Sequence, residues 1–318
     1  MKNIYSNIYS FNKKLLKKTV ESLKQGKIAG LPTETVYGLA GNAYSNKAVK
    51  NIFEIKKRPK KNPLIIHYLD LKYVKQDVVL NDSFFKLYKA FCPGPLTFVL
   101  KKNKRTKIVP LATSNLKTVA IRFPNHKIIQ SILKFTNFPL AMPSANLSSK
   151  LSPVNAYDVF DDFKKKLRII INGGNSKFGI ESTVIDLTTE PKILRPGVIS
   201  SEEIKSILKK NLSKKKSNIK SPGMMKKHYS PGIPLILGSK PKNRDHAYIV
   251  FGKKYKKNLN YFNLSKKGDL KEAANNLYKT MRKISKKNFK SIAVVKIPNT
   301  EIGCAINDRL RKASNKWA

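Results

Sequence analysis

Short apolar runs alternate with amphipathic segments through residue 195 of this 318-residue chain. Short runs rich in Ile, Val and Leu are typical of strands, and the segments between them have the spacing of helices. This alternation favours an α/β domain over a sandwich or a helical bundle. The predicted strands cover residues 27–31, 63–68, 95–101, 117–123, 138–142, 168–172, 182–188 and 192–195.

The segment SNKAVKNIFEIKKR, residues 45–58, predicts a helix between the first two strands. Its large apolar residues have a mostly helical spacing: Val49, Ile52, Phe53 and Ile55. The Arg58–Pro59 step should end the helix, because the residue before a proline disfavours helical backbone angles. Lys56 and Arg58 are therefore expected at the helix exit.

The chain changes character after residue 208. Residues 209–220, KKNLSKKKSNIK, are charged and lack large apolar clusters, and SPGMMKKHYSPG, residues 221–232, contains two Ser-Pro-Gly steps typical of an extended linker. Beyond it, apolar runs at 234–237, 247–251 and 291–297 alternate with a predicted helix at 269–286. We predict a catalytic domain over 1–208, a linker or lid over 209–232 and a smaller α/β domain over 233–318.

The formal net charge of +46 arises from 65 Lys and Arg against 19 Asp and Glu. A field of this sign attracts polyanions such as nucleotides and RNA. Solvated lysines on outer faces would give the same charge, because blocks of like charge usually lie on the surface. Charge alone therefore does not establish a nucleic-acid partner.

Two cysteines, Cys92 and Cys304, lie far apart without a partner at metal-ligand spacing, so neither a disulfide framework nor a structural zinc site is predicted. The N-terminal residues lack the continuous apolar core of a secretory signal, and no later apolar run is long enough to span a bilayer. We expect a cytoplasmic protein that does not bind membranes.

Polar residues follow several predicted strands, where they can form a ligand site. LPTETVYGLAGNA, residues 31–43, fits a ligand loop, but taken alone the segment favours an ordinary strand-to-helix connection. KKRPKKNPLIIH, residues 56–67, fits phosphate-binding cations and a solvated basic turn equally well. In KTVAIRFP, residues 117–124, the alternation places Thr118 and Arg122 on the face opposite Val119, Ile121 and Phe123. Further polar residues lie in MPSANLSSKLSP (142–153), GIESTVIDL (179–187) and ILRPG (193–197).

The phosphate loop GxxxxGK[ST], the dinucleotide fingerprint GxGxxG and the hydrolase motifs HExxH and GxSxG are not found in the sequence. Instead, PTETVYGL, KxR with NPL and His, CPGPLT, AIRFP, PSAN, GIESTVID and RPG, in that order, resemble the motif set of the YrdC-like L-threonylcarbamoyladenylate synthases. This resemblance covers about residues 13–200. SPGMMKKHYSP resembles the interdomain linker of the two-domain branch, and the segments 268–282 and 303–313 resemble its C-terminal domain.

The resemblance implies a twisted mixed-sheet N-terminal domain and a smaller Rossmann-like C-terminal domain. It also implies synthesis of threonylcarbamoyl-AMP and pyrophosphate from ATP, L-threonine and bicarbonate, with Mg²⁺ accompanying ATP and no metal held by protein side chains. A separate transferase complex would use the product on tRNA, and direct contact with tRNA is possible.

Carried over motif by motif, the resemblance assigns ligand roles to individual residues. The expected ATP-binding residues are Lys56, Arg58, Asn62, Thr118, Ser144, Ser152, Arg195 and Tyr229. The expected threonine-binding residues are Thr35, His67, Arg122, Met142 and Ser182. Lys56 and Arg58 are assigned to catalysis, and Tyr229 is expected to close over the nucleotide as part of a lid.

Two other interpretations compete with this enzyme. One is a module that binds double-stranded RNA or tRNA on a basic surface without chemistry; it explains the charge but not the ordered polar residues. The other is a carbamoyl-transfer maturation enzyme that contains a YrdC-like module, although the zinc-finger cysteines expected beside such a module are missing from this sequence.

Overall fold

The computed structural model describes residues 5–213, 228–238, 245–255 and 258–314. These residues form a ten-stranded mixed sheet followed by a four-stranded sheet, with helices packed against both. The first part contains β1 (Ile8–Ser10), α1 (Lys13–Lys24), β2 (Ala29–Leu31), β3 (Gly38–Asn42), α2 (Asn46–Lys56), β4 (Ile65–His67), α3 (Val74–Asp77), α4 (Asp82–Phe91), β5 (Leu96–Lys101), β6 (Thr118–Arg122), α5 (Lys127–Thr136), β7 (Leu140–Ala141), α6 (Ala156–Phe163), β8 (Ile170–Asn172), β9 (Thr183–Asp186), β10 (Lys192–Arg195) and α7 (Ser201–Leu208).

The large sheet has the strand order β1-β8-β2-β3-β7-β4-β6-β5-β9-β10. Parallel pairs such as β4 with β6 and antiparallel pairs such as β5 with β6 occur together. Each of the eight predicted strand segments contains one of these strands. The α/β class and the mixed sheet are therefore confirmed, while β1 and β3 were not predicted as strands.

Helix α2 lies inside the predicted helical segment and ends shortly before the Arg58–Pro59 step that was expected to stop it. The Ser45 side chain accepts a hydrogen bond from the backbone N–H of Ala48 and caps the first turn. The helix ends at Lys56, and Lys57 adopts a left-handed conformation with φ of 50°. Lys56 and Arg58 consequently leave the helix toward the centre of the large sheet.

The second part consists of a parallel sheet with two long helices. Its elements are β11 (Leu235–Leu237), β12 (His246–Val250), β13 (Tyr261–Asn263), α8 (Leu270–Ser285), β14 (Ser291–Val294) and α9 (Glu301–Ser314), and its strand order is β11-β14-β12-β13. A small, fully parallel sheet with helices agrees with the predicted Rossmann-like domain. Strand β13 and helix α9 were not predicted as elements.

One hydrophobic core joins the two parts of the chain. Val36, Leu151 and Ile180 of the first part are buried together with Leu277 of α8 and Ile306 of α9. Burial of this kind fixes the two parts against each other, because separating them would expose apolar surface to water. The predicted boundaries at residues 208 and 232 stay predictions, and residues 214–227 of the predicted linker lie outside the described residues.

None of the helices in the described ranges is long and apolar enough to cross a membrane.

Gly179 packs directly against helix α8. Its φ is +70°, and an added Cβ would lie 2.6 Å from the Cα and the carbonyl oxygen of Asn275. The Asn275 side-chain amide donates to the carbonyl oxygens of Ser176 and Lys177, at 3.0 and 2.7 Å. The contact is therefore between one backbone and another, which neither side can relieve by a rotamer change.

We expect Gly179→Ala to lower the free energy of unfolding by about 1–3 kcal/mol more than Gly174→Ala does, because only the first variant overpacks the interface. Gly174 is the matched control: its φ is +76°, but nothing lies within 4 Å of an added Cβ. Denaturant unfolding of both variants measures the difference. Equal losses would show that the cost comes from backbone conformation alone.

Candidate active site

Neighbouring strands of the large sheet bring three polar side chains into one row. His67 at the end of β4 lies opposite Arg122 at the end of β6, and Arg122 lies opposite Thr97 of β5. Directly opposite residues share a face of the sheet, so their side chains are neighbours. The row has an apolar reverse side, since Val119, Ile121 and Phe123 are buried in the main core. The predicted alternation of residues 117–123 is thus confirmed.

Arg122 is held by a carboxylate from the loop between β2 and β3. Its Nη2 donates to Oε1 of Glu34 at 2.7 Å, and the two side chains are only 5% and 4% exposed. The other carboxylate oxygen of Glu34 is buried without a hydrogen-bond partner among the described residues. Sequence analysis gave Glu34 no individual role, although it lies inside the PTETVYGL motif.

Arg195 at the end of β10 is fixed by the residue that precedes β9. Its guanidinium donates to the carbonyl oxygen of Ser182 through Nε at 3.2 Å and Nη2 at 2.9 Å, and to the Ser182 hydroxyl at 3.2 Å. The same hydroxyl lies 2.8 Å from Oγ1 of Thr97. Ser182 therefore links Arg195 to the row of strand-end side chains.

Lys56 and Arg58 turn from the end of α2 toward backbone carbonyls. The Lys56 ammonium donates to the carbonyl oxygens of Ser144, at 2.6 Å, and Asn146. Arg58 donates through Nε to the carbonyl oxygen of Asn62 and through Nη2 to that of Pro63, at 2.9 and 2.8 Å. Both cations are buried, and burial together with the charge of Arg195 lowers the pKa of Arg58 to about 9.

His67 is electrically neutral in this environment. Burial, followed by repulsion from the Arg122 guanidinium, lowers the pKa of His67 well below its usual value. Its Nδ1 lies 3.2 Å from the carbonyl oxygen of Ile65. A neutral imidazole beside Arg122 offers hydrogen bonding to a ligand without adding a further positive charge.

These elements surround one cavity. Eight of the residues predicted to bind ligands line it: Arg58, His67, Arg122, Met142, Ser144, Ser182, Arg195 and Tyr229. The site therefore gathers side chains from the ends of five strands (β4, β6, β7, β9 and β10), from the α2 exit and from the linker.

Five predicted ligand residues do not line the cavity. Lys56, Asn62 and Ser152 are one contact away: Lys56 supports Ser144, Asn62 receives a hydrogen bond from Arg58, and the Ser152 hydroxyl donates to Glu181 at 2.5 Å. Thr35 lies beneath the wall with its hydroxyl 2.9 Å from that of Thr33, which does line the cavity. Thr118 lies at the opposite end of β6 from Arg122. Their ligand roles stay predictions.

Glu181 lines the cavity and was missed by sequence reasoning. Its carboxylate also meets Tyr278 of α8 and Arg309 of α9, the latter with Nε donating at 2.9 Å. Although burial opposes ionisation, the attraction of Arg309 and then of Arg195 lowers the pKa of Glu181 to about 2. The residue lies within GIESTVID, but its partners are 97 and 128 positions away, so no local pattern indicated them.

His228 and Tyr229 of the predicted linker also line the cavity. The Ser230 N–H donates to the carbonyl oxygen of Ser149 at 2.8 Å. This hydrogen bond holds the end of the linker against the segment MPSANLSSKLSP, residues 142–153. Tyr229 is buried, has φ of 63°, and stacks on Tyr278 with ring centroids 5.8 Å apart. Tyr229 is thus placed at the cavity as predicted, while its closing over a nucleotide stays a prediction.

The balance of charge makes the cavity a site for anions. Arg122 is paired with Glu34, and Glu181 is paired with Arg309 from outside the cavity lining, whereas Arg58 and Arg195 donate to backbone carbonyls and keep their positive charge for a ligand. Guanidinium groups bind carboxylates and phosphates with charge-assisted and often bidentate hydrogen bonds. The described residues contain no cluster of three or more His, Cys, Asp or Glu side chains that could hold a metal ion.

Comparison with known proteins defines the class. The Sua5, YciO and YrdC family model, described as "Telomere recombination", matches residues 21–197, and the model of the threonylcarbamoyl-AMP synthase C-terminal domain matches residues 199–315. The chain therefore belongs to the Sua5/YrdC family, in its two-domain form.

Relatives over nearly the whole chain carry a more specific name. Threonylcarbamoyl-AMP synthase of Pyrococcus abyssi is 37% identical, with 92% of each chain covered, and that of Bacillus subtilis is 34% identical, with 92% of this chain and 90% of the other covered. The crystal structure of P. abyssi Sua5 complexed with L-threonine superposes with a TM-score of 0.89 at 33% identity, covering 97% of each chain. The expected family, its two domains and its nucleotidyltransferase class are confirmed.

The neutral state of His67 makes stability depend on pH. The unfolded chain protonates this histidine below about pH 6.5, but the folded chain resists protonation, so the folded state loses stability as the pH falls from 7 to 5. We expect the loss to be less steep in His67→Gln, by up to about 1.4 kcal/mol per pH unit.

Melting temperatures measured from pH 8 to pH 5 test this expectation. His126 and His228, whose pKa values are also lowered, leave a residual slope in the variant. Glu181 does not contribute in this window, because its carboxylate is ionised in both the folded and the unfolded chain above about pH 5. Identical slopes for the two proteins would contradict a neutral buried His67.

Proposed function

We propose that this chain forms threonylcarbamoyl-AMP and pyrophosphate from ATP, L-threonine and bicarbonate, for the threonylcarbamoyladenosine modification of tRNA. The observation that carries the proposal is the convergence of Arg58, Arg122 and Arg195 on one cavity walled by small polar residues. The carboxylate of an amino acid and the phosphates of a nucleoside triphosphate are both negatively charged groups, and a site for their reaction needs cations at two places.

The threonine is assigned to the strand-end row. Arg122 offers a guanidinium for the carboxylate, while neutral His67 and the Ser182 hydroxyl offer hydrogen bonds to the amine and side-chain hydroxyl. Met142 lines the same part of the cavity, and Thr35 supports its wall. The L-threonine complex of P. abyssi Sua5, which has the same fold over 97% of this chain, supports threonine as the amino acid.

ATP is assigned to the side of the cavity formed by Arg58, Ser144, Arg195 and Tyr229. The two arginines would neutralise phosphate charge. Lys56 would hold the PSAN motif in place, Asn62 would hold Arg58, and Ser152 would hold Glu181. Thr118 lies at the other end of β6 from Arg122, so it would contact a part of ATP that lies away from the two arginines. Mg²⁺ is proposed to enter with ATP as part of the substrate, since Mg²⁺ is commonly held by phosphates and water instead of an all-protein cage.

The reaction has two steps in this proposal. The threonine amine combines with bicarbonate to form a carbamate and release water. A carbamate oxygen then attacks the α-phosphorus, and the bond from that phosphorus to the bridging β-phosphate oxygen breaks to release pyrophosphate. Arg58 and Arg195 would stabilise the charge that develops on the phosphates, and alignment of the two substrates would supply much of the remaining acceleration.

Partners beyond the substrates are also proposals. The product would pass to a separate tRNA threonylcarbamoyl transferase complex in the cytoplasm. Direct contact with tRNA would suit a basic groove away from the cavity, which is lined by Lys18, Lys27, Lys47, Lys165, Lys166 and Arg168. Phosphate contacts of this kind give affinity without sequence selectivity.

The proposal is tested by incubating the purified chain with ATP, Mg²⁺, bicarbonate and L-threonine. We expect release of pyrophosphate that depends on both threonine and bicarbonate, together with an acid-labile threonylcarbamoyl-AMP peak. Pyrophosphate release independent of threonine would contradict the proposal. Tight tRNA binding without any nucleotide turnover would instead favour an RNA-binding module.

A second test concerns Arg58. We expect Arg58→Ala to lower kcat/KM for ATP by about 10- to 100-fold, the effect of removing a charge-assisted hydrogen bond to a phosphate. Lys60→Ala is the matched control, since Lys60 lies two residues away with an exposed side chain. Initial rates of threonine-dependent pyrophosphate release measure both variants. Equal turnover of the two would remove the phosphate role assigned to Arg58.

A further inference from the structure

A side chain of the second domain forms part of the support beneath the candidate active site. Arg309 of α9 is only 1% exposed, and its Nε donates to Oε2 of Glu181 at 2.9 Å. Its Nη1 donates to the carbonyl oxygen of Pro196 at 2.6 Å and to Oδ2 of Asp308 at 2.9 Å. The guanidinium thus ties the carboxylate of GIESTVID to the backbone of the RPG motif.

Glu181 connects Arg309 to the residues around the cavity. Its Oε1 accepts a hydrogen bond from the Ser152 hydroxyl at 2.5 Å, and both of its oxygens lie 3.1 Å from the Tyr278 hydroxyl. The next residue, Ser182, holds Arg195 through its carbonyl oxygen and hydroxyl. A shift of the Glu181 carboxylate would therefore move Ser152 and Ser182, which flank the ligand-binding residues.

The surrounding backbone leaves little room for an alternative arrangement. Gly179 is pressed against α8 as described above, and a Cβ at Gly197 would lie 2.2 Å from the Thr183 nitrogen. Segment 179–183 is consequently enclosed by α8 on one side and the RPG turn on the other. Arg309 of α9 contacts this segment at Glu181 and the RPG turn at the carbonyl oxygen of Pro196.

We infer that Arg309 is a positioning residue for the N-terminal active site: it fixes the Glu181 carboxylate so that Ser152, and Arg195 held by Ser182, have the orientation needed for ATP. The second domain thereby completes a site whose ligand-contacting strands all belong to the first. This inference rests on the proposed function, since it concerns the same nucleotide.

The pH profile of activity can distinguish a positioning role from a purely structural ion pair, because it would respond to the ionisation of Glu181 only if that carboxylate supports the active site. The charged and titratable groups around it are Arg309, Tyr278, Arg195, His228 and Tyr229. Arg309 is the strongest of the cations that lower the pKa of Glu181, which burial alone would raise. Without Arg309, protonation of Glu181 would occur at a higher pH.

The experiment compares Arg309→Gln and Arg309→Lys with a matched control, Asp162→Asn. Asp162 belongs to another ion pair between the two parts of the chain, in which Arg282 Nη2 lies 3.0 Å away, and neither residue lines the cavity. We expect Arg309→Gln to lower kcat/KM for ATP by about 10- to 100-fold and to move the acidic limb of its pH profile upward. Arg309→Lys should restore the profile, and Asp162→Asn should leave both quantities unchanged.

Arg309→Gln can fail to fold, because removing one member of a buried ion pair is strongly destabilising. Tyr278→Phe is therefore a second variant that weakens the same support. It removes only the hydroxyl that contacts Glu181, and we expect a reduction of kcat/KM for ATP of about 2- to 10-fold. Glu181→Gln combined with Arg309→Gln should be no worse than Glu181→Gln alone, since both changes disrupt the same support. Strictly additive losses would overturn the inference.

Two outcomes separate this inference from the proposed function. If the unmodified chain shows no threonine-dependent pyrophosphate release, the proposed function fails, and the affinity for a non-hydrolysable ATP analogue then decides whether Arg309 positions a nucleotide site. If the unmodified chain is active but folded Arg309→Gln and Tyr278→Phe behave like Asp162→Asn, the positioning role is overturned and the ion pair only joins the domains.

Discussion

The structure depends on how buried cations of the first domain obtain hydrogen-bond acceptors. A buried guanidinium or ammonium is costly unless it is paired, and here backbone carbonyls of distant motifs supply most of the pairing. Ser182 holds Arg195, while Ser144 and Asn146 hold Lys56. Each motif therefore needs another motif in place, which explains physically why these short segments occur together. Because the carbonyls orient the cations before any ligand binds, binding does not include the entropic cost of ordering these side chains.

The part of the fold predicted from sequence is the part encoded by local periodicity. Strand β6 was identified together with the direction of Arg122, because alternation over 117–123 separates a core face from a polar face. Strand β3 was missed because Gly38–Asn42 is glycine-rich and reads as a loop, although it pairs with β2 and is largely buried. Helix α9 was missed as an element for lack of a clear start signal. Contacts between distant residues, such as Glu181 with Arg309, have no local signal at all.

Net charge and site charge are separate properties of this chain. The excess of +46 is spread over many lysines, a large share of them exposed, and their interactions are weakened by water and salt. The cavity owes its sign to Arg58 and Arg195, which are at most 8% exposed, because Arg122 is paired with Glu34. Because those charges lie in a region of low polarity, each acts more strongly on a bound anion than a surface lysine does. The net charge of the chain therefore reflects mainly its surface lysines and does not predict the charge of the buried cavity.

The two carboxylates of the site have different partners, and the difference explains what the second domain contributes. Glu34 is paired with Arg122 inside the first domain. Glu181 is influenced by two cations, Arg309 and Arg195, and only Arg309 donates to it directly. Without Arg309, Arg195 would be the remaining cation that stabilises the buried carboxylate. In the proposed function, pairing of Glu181 with Arg309 of the second domain leaves Arg195, which Ser182 holds, to act on the phosphates of ATP.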